Sequence, residues 1–588
     1  MFSRLRPLFP YMRRYSREYL WGGVSVVLSN AIWILFPQVV RRAIDDLNHG
    51  ITQQKILLYA GLLIGVSVLK GIFLFLTRWI IIGVSREIEY DLRNDLFRQL
   101  ERQPAAYYQQ HRTGDIMARM TNDLAAVRML LGPAIMYSAN TILFSLGALF
   151  FLLRISPSLT LVALVPLPLA SVLVQFLGSR IHDRFERIQA MFSEISAQAQ
   201  ENFSGARLVR AFAQEEPQIA AFERSNQENI RRSLRLVQLM GMLWPTLQFI
   251  LGLAMAISLF VGGHQVLSHH ISVGDFVAFN TYMLMLTWPI IALGWVVNLF
   301  QRGTASVTRI DELLSEEPTI DNHDADPSIP ADLVMQGEIE FRNLTFAYDT
   351  GEERSYPILK DLSLKIDAGT SLAIVGPTGS GKSTLVNLIA RFYDASPGSI
   401  LIDGRPIREY PLAVLRSNLG VVPQETFLFS ETIRENIAFG TPDATEEDVM
   451  RAAEAAHIRK EFQDFPRGFD TMVGERGVTL SGGQKQRASI ARAILRNPRI
   501  LILDDALASV DTYTEEQILE ELRRIMQGRT TIFISHRIST VRHADRIAVL
   551  VEGRIAELGT HEQLLEKNGY YADLFQKQQL EEELAVTH

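Results

Sequence analysis

Two consecutive carboxylates, Asp504 and Asp505, follow a run of four apolar residues at 500–503. A short apolar run of this kind is typical of a strand buried in a parallel sheet. A carboxylate at the end of such a strand can hold Mg²⁺, either directly or through water. The second carboxylate can act as a general base only if its side chain reaches the proton that it must remove.

A phosphate-binding loop lies upstream, in the stretch LAIVGPTGSGKST at 372–384. An apolar strand precedes the pattern G-x-x-x-x-G-K-S and a helical stretch follows it, which is the context that this loop requires. The helix N-terminus adds positive potential to the backbone N–H groups, Lys382 supplies a charge, and Ser383 offers a hydroxyl to Mg²⁺ beside Asp504. A simple glycine turn and an N-cap role for Asp504 are the alternatives, which the pairing of the two motifs disfavours. The predicted nucleotide-binding residues of the loop are Gly376, Thr378, Gly379, Ser380, Gly381, Lys382, Ser383 and Thr384.

A second anion-binding helix terminus is predicted in LSGGQKQR, at 480–487. Ser481, Gly482, Gly483 and Gln484 stand at the start of an unbroken helical run, where backbone N–H groups and the helix dipole favour an anion. An ordinary Ser/Gly N-cap is the alternative. Because one nucleotide already fills the first loop, the second terminus is useful if two such domains meet head to tail and each closes the other's nucleotide.

The composition indicates a membrane half followed by a soluble half. A chain of 588 residues is too long for one core, and a net charge of −7 gives no indication of nucleic-acid binding. The absence of cysteine excludes disulfides and thiolate metal sites. Apolar residues concentrate in the first 300 positions, in six stretches near or above the ~20 residues that span a bilayer. These predicted spans are 20–40, 56–84, 130–153, 159–177, 237–261 and 273–300.

Arginine placement predicts the orientation of the spans. Segments 1–20, 83–129 and 180–235 carry five, seven and nine arginines, whereas the loop GGHQVLSHHIS carries none. By the positive-inside rule, both termini and the soluble half lie in the cytoplasm, in the cytoplasmic membrane. The two long cytoplasmic connections have helical periodicity and extend roughly 25 Å or more beyond the membrane.

Prolines and cations inside two of the spans carry further predictions. Pro166 and Pro168 predict a kink in the short fourth span. Lys70 and Arg78 lie within the second span, and snorkelling from a long, tilted helix is the favoured interpretation of both. A water-filled cavity between helices is the alternative.

The predicted fold class is a multidomain membrane protein. A six-helix, all-α transmembrane domain at 1–315 precedes a linker at 316–335, which is rich in Asp, Pro and Ser. An α/β P-loop nucleotide-binding domain at 336–580 follows the linker.

These motifs resemble the nucleotide-binding domain of ABC transporters, and the six spans resemble the membrane domain of an exporter half-subunit. The resemblance implies a transport-coupled ATPase with ATP and Mg²⁺ as cofactors. It implies that Tyr348 stacks on adenine, that Gln424 contacts Mg²⁺ and the attacking water, and that His536 contacts the γ-phosphate. It also implies coupling roles for Glu475, in a loop that touches the membrane domain, and for Asp511, in a loop that faces the opposite site.

The chain departs from the family at the general base. Hydrolytic members have glutamate after the Mg²⁺ aspartate, but here Asp505 has a side chain that is shorter by one methylene, roughly 1.5 Å. A misplacement of about 1 Å can cost on the order of 10²-fold in rate. Ala508 replaces a family serine nearby. The resemblance therefore predicts an ATP site that binds ATP well and hydrolyses it slowly.

The intact LSGGQ segment implies that this chain completes the ATP site of a second half-transporter subunit, which has the glutamate and performs the hydrolysis. A homodimer is the alternative. The expected partners are that subunit, membrane lipids and a small amphipathic or hydrophobic substrate, with no nucleic acid. Export of such compounds is favoured. A lipid or peptide translocator and a non-transporting, ATP-gated regulator or channel subunit are the alternatives.

Overall fold

The computed structural model describes residues 2–348, 356–474, 480–508 and 512–586. The chain forms two compact units, one of Met1–Leu100 with Gly114–Glu316 and the other of Glu101–Thr113 with Glu317–His588. The second unit therefore includes a short segment from the connection after the second span. The predicted domain boundaries assigned this segment to the transmembrane domain.

The described part of the first unit consists of helices joined by short turns, without a strand. A 3-10 segment, Phe2–Leu8, precedes its first helix, and two π-helical turns, Arg119–Asp123 and Leu130–Ala134, join the helices from Thr113 to Ile155. The helices are α1 (Phe9–Arg14), α2 (Ser16–Asn48), α3 (Gln53–Arg102), α4 (Ala105–Gln110, in the second unit), α5 (Thr113–Ala118), α6 (Leu124–Met129), α7 (Ile135–Ile155), α8 (Pro157–Leu164), α9 (Pro166–Ser204), α10 (Ala206–Ala211), α11 (Glu215–Leu267) and α12 (Val273–Ser315).

Five helical stretches within the described residues are long and apolar enough to cross a membrane. They are Ser16–Asn48, Gln53–Arg102, Thr113–Ile155, Glu215–Leu267 and Val273–Ser315. The fourth predicted span is divided between α8 and α9, which meet at Val165. Because Pro166 cannot donate a helix hydrogen bond, the predicted kink is a boundary between two helices.

The second unit contains two sheets. The strands are β1 (Ile339–Phe346), β2 (Leu359–Ile366), β3 (Ser371–Val375), β4 (Ile400–Ile402), β5 (Arg405–Pro406), β6 (Leu419–Val422), β7 (Ile500–Asp504), β8 (Thr530–Ile534), β9 (Arg546–Val551) and β10 (Arg554–Gly559). The antiparallel sheet has the order β2-β1-β4-β5, and the larger sheet has the order β10-β9-β3-β8-β7-β6.

Short helices cover the sheets of this unit. They are α13 (Lys382–Ile389), α14 (Leu412–Ser417), α15 (Ile433–Ala438), α16 (Glu446–Ala455), α17 (Arg459–Gln463), α18 (Gly482–Leu495), α19 (Thr512–Met526), α20 (Ile538–Val541), α21 (His561–Glu566) and α22 (Tyr570–Val586), with 3-10 turns at Ile407–Glu409 and Gly468–Asp470.

The order of the larger sheet brings the predicted chemistry together. Strands β9, β3, β8, β7 and β6 are mutually parallel, and only the edge strand β10 runs antiparallel. Strands β3, β7 and β8 are buried along their whole length, as their unbroken apolar runs predict. Because the carboxyl ends of parallel strands share one edge, the loops after β3, β6, β7 and β8 meet there.

Candidate functional site

A pocket of about 240 Å³ lies at this edge of the larger sheet. The phosphate loop after β3 forms one side, and the residues that follow β6, β7 and β8 form the other. Most of the predicted catalytic and phosphate-binding residues therefore converge, although up to 160 positions separate them. The pocket is lined by Ile358, Thr378, Gly379, Gly381, Lys382, Ser383, Thr384, Gln424, Asp504, Asp505, Ile534 and His536.

Glycine is required in the phosphate loop for two different reasons. At Gly376 a Cβ would lie 2.1 Å from the Leu550 carbonyl oxygen, because the loop passes close to the neighbouring strand. Gly379 has a φ of 82° and open space where its Cβ would be. Ser380 is buried, and its Oγ has no hydrogen-bond partner within the described segments. The loop therefore keeps an open concave face and a spare hydroxyl, which fit a polyphosphate.

Lys382 is held at the mouth of the loop by the loop itself. Its Nζ donates hydrogen bonds of 2.9 Å to the carbonyl oxygens of Gly376 and Pro377. Burial lowers the pKa of the Lys382 ammonium, and the carboxylates of Asp504 and Asp505 oppose that shift. A bound phosphate would add a further anion where the ammonium already lies.

Asp504 and Ser383 form a pair suited to a hard cation. Asp504 ends β7 with only 7% of its surface exposed, and its carboxylate accepts a hydrogen bond from the Ser383 hydroxyl. Burial raises the pKa of the Asp504 carboxyl, and the neighbouring Asp505 carboxylate raises it further. A divalent cation would relieve this crowding of negative charge, and oxygen ligands are those that Mg²⁺ prefers. The donor set therefore fits Mg²⁺ with ATP.

Asp505 lines the pocket on a tightly held backbone. Its φ is 49°, a left-handed conformation that aspartate tolerates better than most residues. Its N–H donates to the Ile534 carbonyl oxygen at 2.9 Å, and its own carbonyl accepts from the Ala508 N–H at 3.2 Å. The position of the Asp505 backbone is thus fixed by the ends of β7 and β8.

The predicted adenine-stacking residue, Tyr348, lies beside the pocket and does not line it. Its hydroxyl is 3.0 Å from Thr384 Oγ1, and its ring meets Tyr393 edge-on at 4.8 Å. The Gln109 side chain, from the segment that joins this unit from the membrane half, is hydrogen-bonded to Tyr393. Gln109 belongs to the stretch YYQQHRTGDIMARMTND, which resembles a cytoplasmic coupling segment of the family, whereas sequence reasoning missed Tyr393 and its contact with Gln109.

The predicted signature segment forms a complete capping box at the start of α18. Ser481 Oγ accepts from the Gln484 N–H at 3.2 Å, and Gln484 Oε1 accepts from the Ser481 N–H at 3.0 Å. Gly482 and Gly483 form the first turn of α18. None of the four lines the pocket described above, and Ser481 is exposed to solvent. Ser481 therefore caps α18, which both interpretations allow, and a role toward another subunit's nucleotide stays a prediction. Glu475 and Asp511 lie outside the described residues.

Two family models match this chain. The model of the ABC transporter transmembrane region matches residues 19–290, and the ABC transporter model matches residues 359–508. The chain belongs to the ABC transporter family. The family and the fold class predicted from the sequence are confirmed, as is an ATPase activity coupled to transport.

Similar proteins match this ABC transporter along almost its whole length. It is 37% identical to a probable multidrug resistance ABC transporter ATP-binding/permease protein, YheI of Bacillus subtilis, over 99% of this chain and 98% of that protein. It is 36% identical to the multidrug resistance-like ATP-binding protein MdlA of Escherichia coli, over 97% and 96% of the two chains. It is 35% identical to an ATP-dependent lipid A-core flippase of Syntrophus aciditrophicus, over 98% and 94%.

A solved structure also matches the transporter. The structure of a bacterial Atm1-family ABC exporter with ATP bound has a TM-score of 0.77 and 30% sequence identity, and the match covers 96% of this chain and 98% of that one. The chain is therefore a multi-pass membrane protein of exporter type, and such exporters work as dimers of half-transporters.

Proposed function

We propose that this chain is one half of an ATP-driven exporter of small amphipathic or hydrophobic compounds, and that its own nucleotide site hydrolyses ATP slowly. The observation that carries the proposal is the aspartate at position 505. Its backbone is held by the hydrogen bond to Ile534 and by a left-handed φ. The shorter Asp505 carboxylate could reach a catalytic water molecule only if the end of β7 moved, so the backbone does not compensate for the shorter side chain.

Other residues of the pocket support ATP binding at this site. Lys382 and the loop N–H groups hold the outer phosphates, and Ser383, Asp504 and Gln424 hold Mg²⁺. Bound Mg²⁺ neutralises charge on the phosphates. His536, two residues after the end of β8, lines the same pocket and would contact the terminal phosphate.

The intact signature segment supports a partner subunit. Ser481 and the first N–H groups of α18 close the nucleotide of that partner, whose glutamate performs most of the hydrolysis. Closure of two such units around ATP favours one arrangement of the membrane helices, and hydrolysis at the competent site resets it. The partner is therefore an unlike chain, and a pair of identical chains is the alternative. The protein lies in the cytoplasmic membrane with both termini in the cytoplasm.

A lipid or peptide translocator of the same architecture is the second candidate. The similarity to a lipid A-core flippase over nearly the whole chain favours it. Transport in vesicles distinguishes the two: a lipid substrate moves between leaflets, whereas a soluble compound accumulates in the lumen.

The test of the ATP site uses the purified full-length chain alone. We expect it to bind ATP and turn it over slowly, and we expect Asp505→Glu to raise turnover by up to about 10²-fold. Asp505→Asn is the matched control, because it keeps the size of the side chain and its tolerance of the left-handed backbone while it removes the base. Brisk turnover by the unmodified chain, or an equal gain with asparagine, contradicts the proposal.

A further inference from the structure

Lys70 and Arg78 line a cavity within the membrane unit. The cavity has a volume of about 260 Å³, and residues from α2, α3, α7 and α12 line it. From α3 it receives Lys70, Leu74, Thr77 and Arg78, which are spaced so that they share one face of the helix. Half-buried Lys70 and exposed Arg78 therefore both line a cavity between helices, which the sequence analysis gave as the alternative to snorkelling.

Snorkelling does not describe Lys70. The residue lies midway along the predicted span 56–84, so about 20 Å of helix separates it from either end. Its Nζ lies 3.6 Å from the ring centroid of Trp33 on α2, which is a cation–π contact. The side chain is thus directed at a neighbouring helix and not at the membrane surface.

None of the described residues that line the cavity with these cations is acidic. Stretches 19–44, 54–86, 124–182 and 229–274, which contain almost all of the predicted spans, hold no Asp and no Glu. After Asp275, the last span continues to position 310 without another acidic residue. Unpaired charges in a membrane interior are costly, and ionisable residues found there are by default candidates for a functional site. A negative charge supplied from outside the chain would remove this cost.

The walls of the cavity divide into a polar and an apolar part. Thr77 is 3% exposed, and its Oγ1 has no hydrogen-bond partner among the residues that the structure describes. On the facing helices, Asn30 Nδ2 donates to Asn140 Oδ1 at 3.0 Å. The apolar part consists of large side chains, Val26, Trp33, Leu74, Met136, Phe144, Met285 and Trp288.

We propose that this cavity binds an amphipathic anion. Its carboxylate, sulfonate or phosphate group lies against Lys70 and Arg78, and its apolar body lies against the methionine and aromatic side chains. Eight residues of helix separate the two cations by about 12 Å, so they can hold one extended acidic head or two acidic groups. The inference rests on the proposed export function and narrows its substrate class.

The test uses the full-length chain in phosphatidylcholine nanodiscs without nucleotide. The probes are naphthalene-2-sulfonate and 2-naphthyltrimethylammonium, which share a ring system and differ in charge, and calorimetry measures their binding. We expect the anion to bind at least tenfold more tightly than the cation. Lys70→Gln and Arg78→Gln should each weaken anion binding by about tenfold or more, since each removes a charged hydrogen-bond donor. Arg154→Gln, at the end of α7, is the matched control and should leave binding unchanged.

Four outcomes would contradict the proposal that the cavity binds an amphipathic anion. Equal binding of the two probes, or unchanged anion binding in both variants, overturns the proposal. Loss of the anion preference when the partner subunit is present also overturns it, because a partner carboxylate would then be the missing charge. Lys70→Arg keeps the positive charge and should keep binding, so loss of binding in a folded Lys70→Arg variant contradicts the proposal.

A competition experiment identifies the source of the anion, and an ATPase measurement separates this proposal from the proposed slow ATP site. Competition by phosphatidylglycerol in the nanodisc identifies a lipid headgroup as the ligand, and binding without such competition identifies a soluble anion. Either result supports the anionic class. Since no nucleotide is present, brisk ATP turnover by the chain alone would contradict the proposed slow site and leave this binding result unaffected.

Discussion

Replacing Ser481 by aspartate separates the two roles that the start of α18 combines. Ser481 Oγ caps the helix through the Gln484 N–H, and the exposed terminus is proposed to face the phosphates of another subunit. Aspartate is as good an N-cap as serine, and its charge is favourable at a helix N-terminus. The first turn of α18 contains no acidic residue, and Glu461, which accepts from Gln484 Nε2 at 3.0 Å, is already paired with Arg487. The folded subunit should therefore be as stable as before, or slightly more stable.

The same charge should be strongly unfavourable once the partner's ATP approaches. Two unit charges about 4 Å apart near a protein surface repel each other by roughly 4 kcal/mol, and the γ-phosphate would lie near that distance. Since every 1.4 kcal/mol is tenfold in an equilibrium constant, ATP-driven closure should weaken by about 10³-fold. Ser481→Asn keeps the cap without the charge and should weaken closure far less.

The assay compares thermal unfolding of the subunit alone with ATP turnover by the assembled transporter. Ser481→Asp should leave the melting temperature within a few degrees of the original protein and reduce turnover to near background. Turnover by the Ser481→Asp transporter close to that of Ser481→Asn would refute the reasoning, because it would show that no phosphate comes near this helix terminus. A large fall in melting temperature for both variants would instead show that serine is needed there for packing.

Two further predictions concern the nucleotide-binding unit. Gly376→Ala should abolish ATP binding in an equilibrium assay, because its Cβ would lie 2.1 Å from the Leu550 carbonyl oxygen; Gly440→Ala, which meets only the flexible Arg496 side chain at 3.2 Å, is the control and should bind normally. Hydrogen bonds from Ser328 and Arg405 lower the pKa of Asp326 to about 2, so its ionised form stabilises the folded state above the ordinary pKa near 3.9, and this contribution is lost as the pH falls through 2. Asp326→Asn should therefore lower the melting temperature at pH 7, and the difference from the original protein should shrink between pH 4 and pH 2; a constant difference would contradict the assignment.

Local motifs could be located from the sequence because their geometry is local. The turn from β3 into α13 needs glycines at fixed offsets, and an acid after a buried strand lies at a sheet edge wherever that sheet is found. The sequence also located the kink at Pro166, although not that it separates two helices. The contact between Tyr393 and Gln109 could not be predicted in this way, because almost 300 positions separate the two residues. Such pairs depend on how distant segments pack.

Lys70 and Asp505 show why departures from local rules are informative. Sequence reasoning favoured snorkelling over a cavity for Lys70, because single cations in long helices usually reach the membrane surface. Its placement over Trp33 depends on the neighbouring helix and cannot be read from α3 alone. Asp505, in contrast, could be recognised from the sequence, since a missing methylene at a catalytic position needs no tertiary information. Each position needs something that the chain does not supply there. The Asp505 side chain is shorter than the glutamate of hydrolytic family members, and the Lys70 ammonium has no acidic residue beside it in the cavity. Natural sequences break local rules mainly at functional sites. We therefore expect a partner subunit to supply the catalytic glutamate and the transported compound to supply the anionic group.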